Sequence, residues 1–521
     1  MAELTAIATA ARDLAARALE HARELTGHGE RIDEHQVVVE RVAYAATEAR
    51  VIDELVAAPA DLGAYAAVAV AELATSIRNR LELVAPALGL AEPRYADAVR
   101  ARIAELGAPA AVEALGLAAI ELQGHVAWPL DEVLGEVRAN VRAFADREIA
   151  PHAERIHHRD ELVPERFIRE MAKLGYFGLS IPEQYGGHEL GNLAMILTTE
   201  ELSRASLAAA GSLITRPEIL AKAILAGGTA AQKQRWLPQL AEGEMMAAIS
   251  VTEPDAGSDV AALACRAERV ADGWAITGAK AWCTFAGRAD VIALLARTSD
   301  AGAKGLTLFV VEKPRFDGHE FAAAQPGGGT LVGKADRTPG YRGMHSFTLA
   351  FDGWLVPDSH VVGGEAGVGR GFALQMAGFA AGRLQTGGRA CGVTQAALEQ
   401  TARYVAERRQ FGKAIGEFGL TRFHLGRMAA RLVAARAITY AAAAAMDGDE
   451  RAAAPLAAMA KLFACDVAVE VTQLGQLLHG GWGYAEEYPI SRFVADAQVL
   501  PIFEGVKPIL ALKVIGRALL Q

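Results

Sequence analysis

Between about residue 247 and residue 357 the apolar residues alternate with a period of two, whereas on both sides they recur at helical spacing. That single block of strands between two helical stretches constrains the fold more than any other feature. A parallel Rossmann sheet needs strands interleaved with helices, and no such interleaving is present. Before the block, Val133, Val137, Val141 and Phe144 trace one helix face, with Arg138, Arg142 and Asp146 on others. Inside it, the segment 266–284 reads as a hairpin turning at Asp272-Gly273. VIALLART, LTLFVVEK and SFTLAFDGWLV read as further strands. Trp128-Pro129 marks a boundary, because proline disfavours helix at the residue before it and starts the next one well.

These switches predict a mainly α protein with a central antiparallel, barrel-like β domain. The expected parts are a helical N-terminal extension (1–128), a helical domain (129–245), the β domain (246–357) and a C-terminal helical domain (358–521). Alanine supplies much of the 52% apolar content, which favours helix. The net charge of −10 and the lack of a basic stripe argue against a nucleic-acid partner. Cys265, Cys283, Cys391 and Cys465 have no paired spacing, so free buried thiols and no metal knuckle are expected. No unbroken apolar run approaches the roughly 18 residues of a membrane span, and the N-terminus lacks a signal pattern. A cytoplasmic location without membrane attachment is the expectation.

Four segments carry chemistry. Val251-Thr-Glu-Pro-Asp-Ala-Gly-Ser-Asp259 sets hydroxyls and a glycine close together, as a diphosphate cradle or a solvent turn would. Lys280-Ala-Trp-Cys-Thr284 puts Trp282 and Thr284 on one strand face, suiting an aromatic ring system or a plain core. Glu407-Arg-Arg-Gln-Phe-Gly-Lys413 is a basic helix end, solvated or phosphate-binding. His479-Gly-Gly-Trp-Gly-Tyr484 lets backbone approach a ligand or simply turns. Gly367-Val-Gly-Arg-Gly371 follows no parallel strand, and Gly327-Gly-Gly329 lacks the lysine of a P-loop.

Together with Gly186-Gly187 and Ile502-Phe-Glu-Gly505, these segments stand in the order and spacing of the acyl-CoA dehydrogenase family, which residues 130–521 resemble. The resemblance implies FAD as cofactor, a C-terminal four-helix bundle and Glu504 as the base that removes a proton alpha to a thioester carbonyl. It implies FAD contacts at Ile249, Val251, Thr252, Gly257, Ser258, Trp282, Thr284, Leu477, Gly480 and Gly481, and contacts from Arg408, Gln410 and Phe411 to the FAD of the partner subunit. Ser258, Phe379, Arg383 and Gly505 match positions near the acyl-CoA. Some relatives carry the base beside the Arg383 position; here that neighbour is Gly382, which leaves Glu504. Leu477, Val506 and Phe418-Gly419 depart from the residues usual at FAD-contacting positions.

The extension and the run LHGGWGYAEEYPISRF look most like methylsuccinyl-CoA dehydrogenases of the ethylmalonyl-CoA pathway. These oxidise (2S)-methylsuccinyl-CoA to mesaconyl-CoA and pass electrons to electron-transferring flavoprotein. A substrate carboxylate needs a cation, and Arg216, helped by Thr215, is the expected clamp; a solvent-facing Arg216 is the alternative. Residues 41–52 and 427–438 agree at five of twelve positions. If the extension mimics C-terminal helices, it caps the surface where dimers pair, giving a homodimer in place of a tetramer. Competing expectations are another short-chain acyl-CoA dehydrogenase, an acyl-CoA oxidase, a flavin monooxygenase, or a non-catalytic CoA- or flavin-binding scaffold.

Overall fold

The computed structural model describes residues 2–90 and 93–521. The chain divides into two compact units, Met1–Glu136 with Thr386–Gln521, and Val137–Gln385.

The unit 137–385 is built on an eight-stranded sheet. Its strands are β1 (Ala247–Ser250), β2 (Arg266–Val270), β3 (Gly273–Thr284), β4 (Val291–Arg297), β5 (Leu306–Glu312), β6 (Glu320–Ala324), β7 (Thr330–Ala335) and β8 (Ser346–Val356). The order is β1-β4-β2-β3-β8-β7-β6, with β5 paired to β4. The sheet is mixed, not wholly antiparallel as expected: β1 runs parallel to β4, and Arg266 of β2 pairs in parallel with Arg297. The expected β2–β3 hairpin forms, but its two-residue loop is Ala271-Asp272. Gly273 already belongs to the strand, at φ +144°, where a Cβ would lie 2.3 Å from the Val356 carbonyl oxygen.

β1, β6 and β7 are the strands that the sequence concealed. Their alanines and charges have little β preference, so pairing to neighbours decides their conformation. Every residue of β4 is buried, which explains its continuous apolar run. Val291, Ala293 and Leu295 of β4 pack with Leu306, Leu308 and Val310 of β5 and with Trp236, Leu237 and Leu240 of the helix Ala230–Ala241.

The other unit joins the extension to the C-terminal helices. Its main helices are α1 (Ala2–Thr26), α2 (Gln36–Val56), α3 (Gly63–Glu82) and α4 (Pro109–Glu121), followed by α6 (Gly371–Glu407), whose first residues belong to the sheet-containing unit, α7 (Gly419–Gly448) and α8 (Glu450–His479). The remaining long helix of interest, α5 (Thr215–Gly227), lies in the sheet-containing unit. α4 meets α7 backbone to backbone. A Cβ on Gly116 would fall 1.8 Å from the Arg422 carbonyl oxygen, and one on Gly426 would fall 2.0 Å from that of Val112. Arg427 and Arg431 of α7 share Glu72 of α3 at 2.7 and 3.1 Å. Arg436 and Gln395 donate to the Val126 and Gly124 carbonyls at 2.6 and 2.8 Å. The extension is therefore an integral layer on the C-terminal helices.

All four cysteines are free and buried, as expected. The membrane expectation needs correction. Ala60–Glu82, Asp97–Glu121 and Glu450–His479 are each long and apolar enough to cross a bilayer by length and composition. Alanine raises their mean hydropathy without any long unbroken run. Within this unit the second stretch is two helices, Asp97–Leu106 and Pro109–Glu121. The most apolar parts of the first and third are 50% and 72% buried.

Candidate active site

Glu504 lies in a short irregular loop between the helix Ile490–Ala497 and the helical C-terminus. It adopts φ +50°, a conformation that costs a non-glycine residue on the order of 1–2 kcal/mol, and Gly505 follows at φ +108°. Three side chains hold the loop in place. Fully buried Lys461 of α8 donates to the Gly505 carbonyl at 2.5 Å. Fully buried Arg389 of α6 reaches Glu504 Oε2 at 3.3 Å, and Thr386 Oγ1 donates to the same oxygen at 3.2 Å. Arg389 also donates to Thr386 Oγ1 at 2.7 Å, and its guanidinium carbon stands 4.4 Å from the centre of the Phe503 ring. The Glu504 side chain is only 6% exposed. A nearly buried carboxylate on a constrained loop is suited to taking a proton from a group held against it. Sequence reading missed Lys461, Arg389 and Thr386. Their only signal was a cation set among small and apolar residues of a long helix, as in Gly388-Arg-Ala390 and Ala460-Lys-Leu462.

The segment 249–259 is fastened to the sheet by a cation that sequence reading also missed. Lys280, fully buried, donates to the Val251 carbonyl at 2.9 Å and to Glu253 Oε1 at 2.8 Å. The Ala281 N–H reaches the Thr252 carbonyl at 2.9 Å. This places Ile249 and Val251 beside the strand and leaves Gly257 and Ser258 exposed beyond it. The expectation that Trp282 and Thr284 share a face is corrected. The β3–β8 register shifts between Lys280 and Cys283, so period two does not carry across. Trp282, at φ +58°, is 58% exposed, whereas Thr284 is buried with its hydroxyl 2.9 Å from Ser346 Oγ.

In the C-terminal unit, Arg408, Gln410, Leu477, Gly480 and Gly481 line one cavity of about 630 Å³, together with Tyr404 and Trp482. A Cβ on Gly480 or Gly481 would meet nothing within 4 Å, so these glycines face open space. Phe411 does not line this cavity. It stands 91% exposed at φ +53°, in the tight turn that joins the short strands Arg409–Gln410 and Lys413–Ala414. Leu477, in place of the family's usual glutamine, is 75% exposed.

Arg216 and Thr215 open α5 and are buried, which excludes a solvent-facing Arg216. Arg216 donates to Tyr341 Oη at 2.9 Å and to the Ser212 carbonyl at 3.3 Å. Among the described residues, Thr215 Oγ1 finds no hydrogen-bond partner. A buried hydroxyl left without a partner is costly, and a ligand atom would relieve it. Phe379 and Arg383 lie on the first half of α6, where Phe379 packs against the apolar core and Arg383 is buried. One further cluster has metal-ligand chemistry: Asp160, His319 and His345. The Asp160 oxygen there is 3.0 Å from His345 Nε2 and 3.7 Å from Arg342, so a cation already faces it. Burial lowers the pKa of His345, which favours its neutral form.

Residues 132–244, 248–354 and 369–520 match the N-terminal, middle and C-terminal domains of acyl-CoA dehydrogenases. The chain belongs to the acyl-CoA dehydrogenase family. It is 43% identical to the (2S)-methylsuccinyl-CoA dehydrogenase of Cereibacter sphaeroides over 395 residues, 75% of this chain and 70% of that protein. Among solved structures it resembles butyryl-CoA dehydrogenase from Megasphaera elsdenii, with a TM-score of 0.69 and 31% identity over 76% of this chain and all of that one. A structure described as the electron transferring flavoprotein of Acidaminococcus fermentans matches with the same score, identity and coverage. The family is FAD-dependent. This acyl-CoA dehydrogenase fits FAD in each unit: exposed Trp282 offers an aromatic face, and the glycine-walled cavity with Arg408 offers room and charge for a phosphate.

Proposed function

We propose that this chain oxidises a short, branched dicarboxylic acyl-CoA, (2S)-methylsuccinyl-CoA, to mesaconyl-CoA. The observation that carries this reading is a buried arginine beside an unsatisfied buried hydroxyl. Arg216 is 5% exposed, already oriented by Tyr341, and adjacent to Thr215 Oγ1. A pocket for a purely apolar acyl group gains nothing from a buried guanidinium, whereas a terminal carboxylate requires one. The identity to the Cereibacter enzyme points to the same substrate.

In this reading Glu504 takes the proton alpha to the thioester carbonyl, and Lys461, Arg389 and Thr386 keep its loop in place. FAD, when bound, supplies the acceptor for the β-hydride. In the C-terminal unit Arg408, Gln410 and the Gly480-Gly481 backbone would hold phosphate-bearing FAD, that of the partner subunit for Arg408 and Gln410, and in the sheet-containing unit Trp282 and Thr284 would lie beside the ring system. Arg216 and Thr215 would anchor the distal carboxylate, which restricts how the acyl group lies. An electron-transferring flavoprotein is the acceptor in this reading, supported by the match to the Acidaminococcus structure. We also infer a homodimer. The extension covers α7 and α8, the surface on which ordinary members pair their dimers. Phe411, Trp482 and Tyr484 stay exposed for one partner.

Replacing Arg216 tests the substrate. In Arg216→Ala, kcat/KM for methylsuccinyl-CoA should fall about 10²–10³-fold, the equivalent of about 3–4 kcal/mol for an abandoned buried charge. Turnover of 2-methylbutyryl-CoA, similar in shape but uncharged, should change less than about tenfold. Equal losses on the two thioesters would reject the clamp and the dicarboxylic substrate with it.

A further inference from the structure

We propose that Arg389 is a positioning residue for the base, gripping the Glu504 loop at two points so that the carboxylate is already aimed when substrate arrives. The proposal rests on the reading of Glu504 as the base. Thr386 and Arg389 lie three residues apart on α6, hence on one face of the helix, and both contact Oε2 of Glu504. The guanidinium carbon also lies over Phe503, the residue before the base, at 4.4 Å from the ring centre. One planar cation thus fixes the carboxylate and the neighbouring ring of a loop held at φ +50°.

A stability role alone does not account for this arrangement. Buried ion pairs contribute little over apolar residues of the same size. Holding a reacting group in one direction does account for it. A base misplaced by about 1 Å loses on the order of a hundredfold in rate. Lysine would retain the charge but not the planar guanidinium that meets both Glu504 and the Phe503 ring.

The test uses the FAD-loaded full chain, reduced anaerobically by substrate, in Arg389→Gln, Arg389→Lys and Thr386→Val. In Arg389→Gln the limiting rate of flavin reduction should fall about a hundredfold. KM should stay within about threefold, and the flavin content and its visible spectrum should match wild type. The isotope effect of α-deuterated substrate should grow, because proton abstraction becomes slower than every other step. Arg389→Lys should lie between wild type and Arg389→Gln, and Thr386→Val should lose less than about tenfold. If Arg389→Gln does not fold, Arg389→Lys carries the same readouts. A limiting rate within threefold of wild type would overturn the proposal, as would a rate loss that only follows flavin loss with an unchanged isotope effect. Wild type unable to reduce FAD, or a fully active Glu504→Gln, would overturn it differently, by removing the base itself.

Discussion

Lys280 in the sheet and Arg389 in the C-terminal helices are both fully buried, and each faces a glutamate, Glu253 at 2.8 Å and Glu504 at 3.3 Å. Around Glu253 the hydrogen bonding is dense and short. Oε1 accepts from Lys280 and from the Cys265 N–H at 2.9 Å, and Oε2 accepts from the Ala264 N–H at 2.7 Å. That carboxylate ties three stretches of backbone together. Around Glu504 the contacts from Thr386 and Arg389 are longer and share one oxygen. The first arrangement holds a loop, and the second holds the carboxylate proposed as the base. Lys313 is a third case. Its ammonium donates to the Gly287, Ala289 and Pro314 carbonyls at 2.8–2.9 Å.

The largest stability effect should come from the densely bonded pair. Lys280→Met should cost about 3–5 kcal/mol in urea unfolding, because it strands Glu253 in the interior. Lys313 should give the next effect, as a dependence on pH. Burial pulls it down to about 8 from its ordinary 10.5. Between those values the unfolded chain binds the proton and the folded chain does not, so stability rises with pH across that window. The wild type should gain up to about 3 kcal/mol there relative to Lys313→Met, at roughly 1.4 kcal/mol per unit. A flat difference would mean that the three carbonyls already offset the burial. Glu504→Gln should cost least, about 1–2 kcal/mol, since glutamine keeps an acceptor for Thr386. A loss equal to that of Lys280→Met would erase the distinction between the holding and the reacting carboxylate.

The sequence already showed the parts of the site whose chemistry is local. The glycines of 480–481, the arginine at 408 and the Phe-Glu-Gly of the base loop sit in short runs whose spacing carries their meaning. Long-range support was hidden. Lys280, Arg389 and Lys461 read as ordinary cations in apolar stretches until tertiary contacts supply their partners. The β2–β3 hairpin was legible because alternation and an Asp-Gly pair coincide. β6 and β7 were not, since EFAAA and TLVGKA become strands only beside β8. The register shift before Cys283 had no signal in an unbroken β pattern, and it misplaced Trp282 relative to Thr284. Arg216 was legible as a cation at the start of a helix, while its partner Tyr341 stands 125 residues away.

The account depends on one carboxylate acting on one carbon. The direct test mixes FAD-loaded wild type and Glu504→Gln with methylsuccinyl-CoA in the absence of oxygen and follows the flavin absorbance. Wild type should bleach, and Glu504→Gln should bind the thioester yet bleach about 10⁴-fold more slowly. Bleaching of Glu504→Gln at the wild-type rate would contradict the assignment outright.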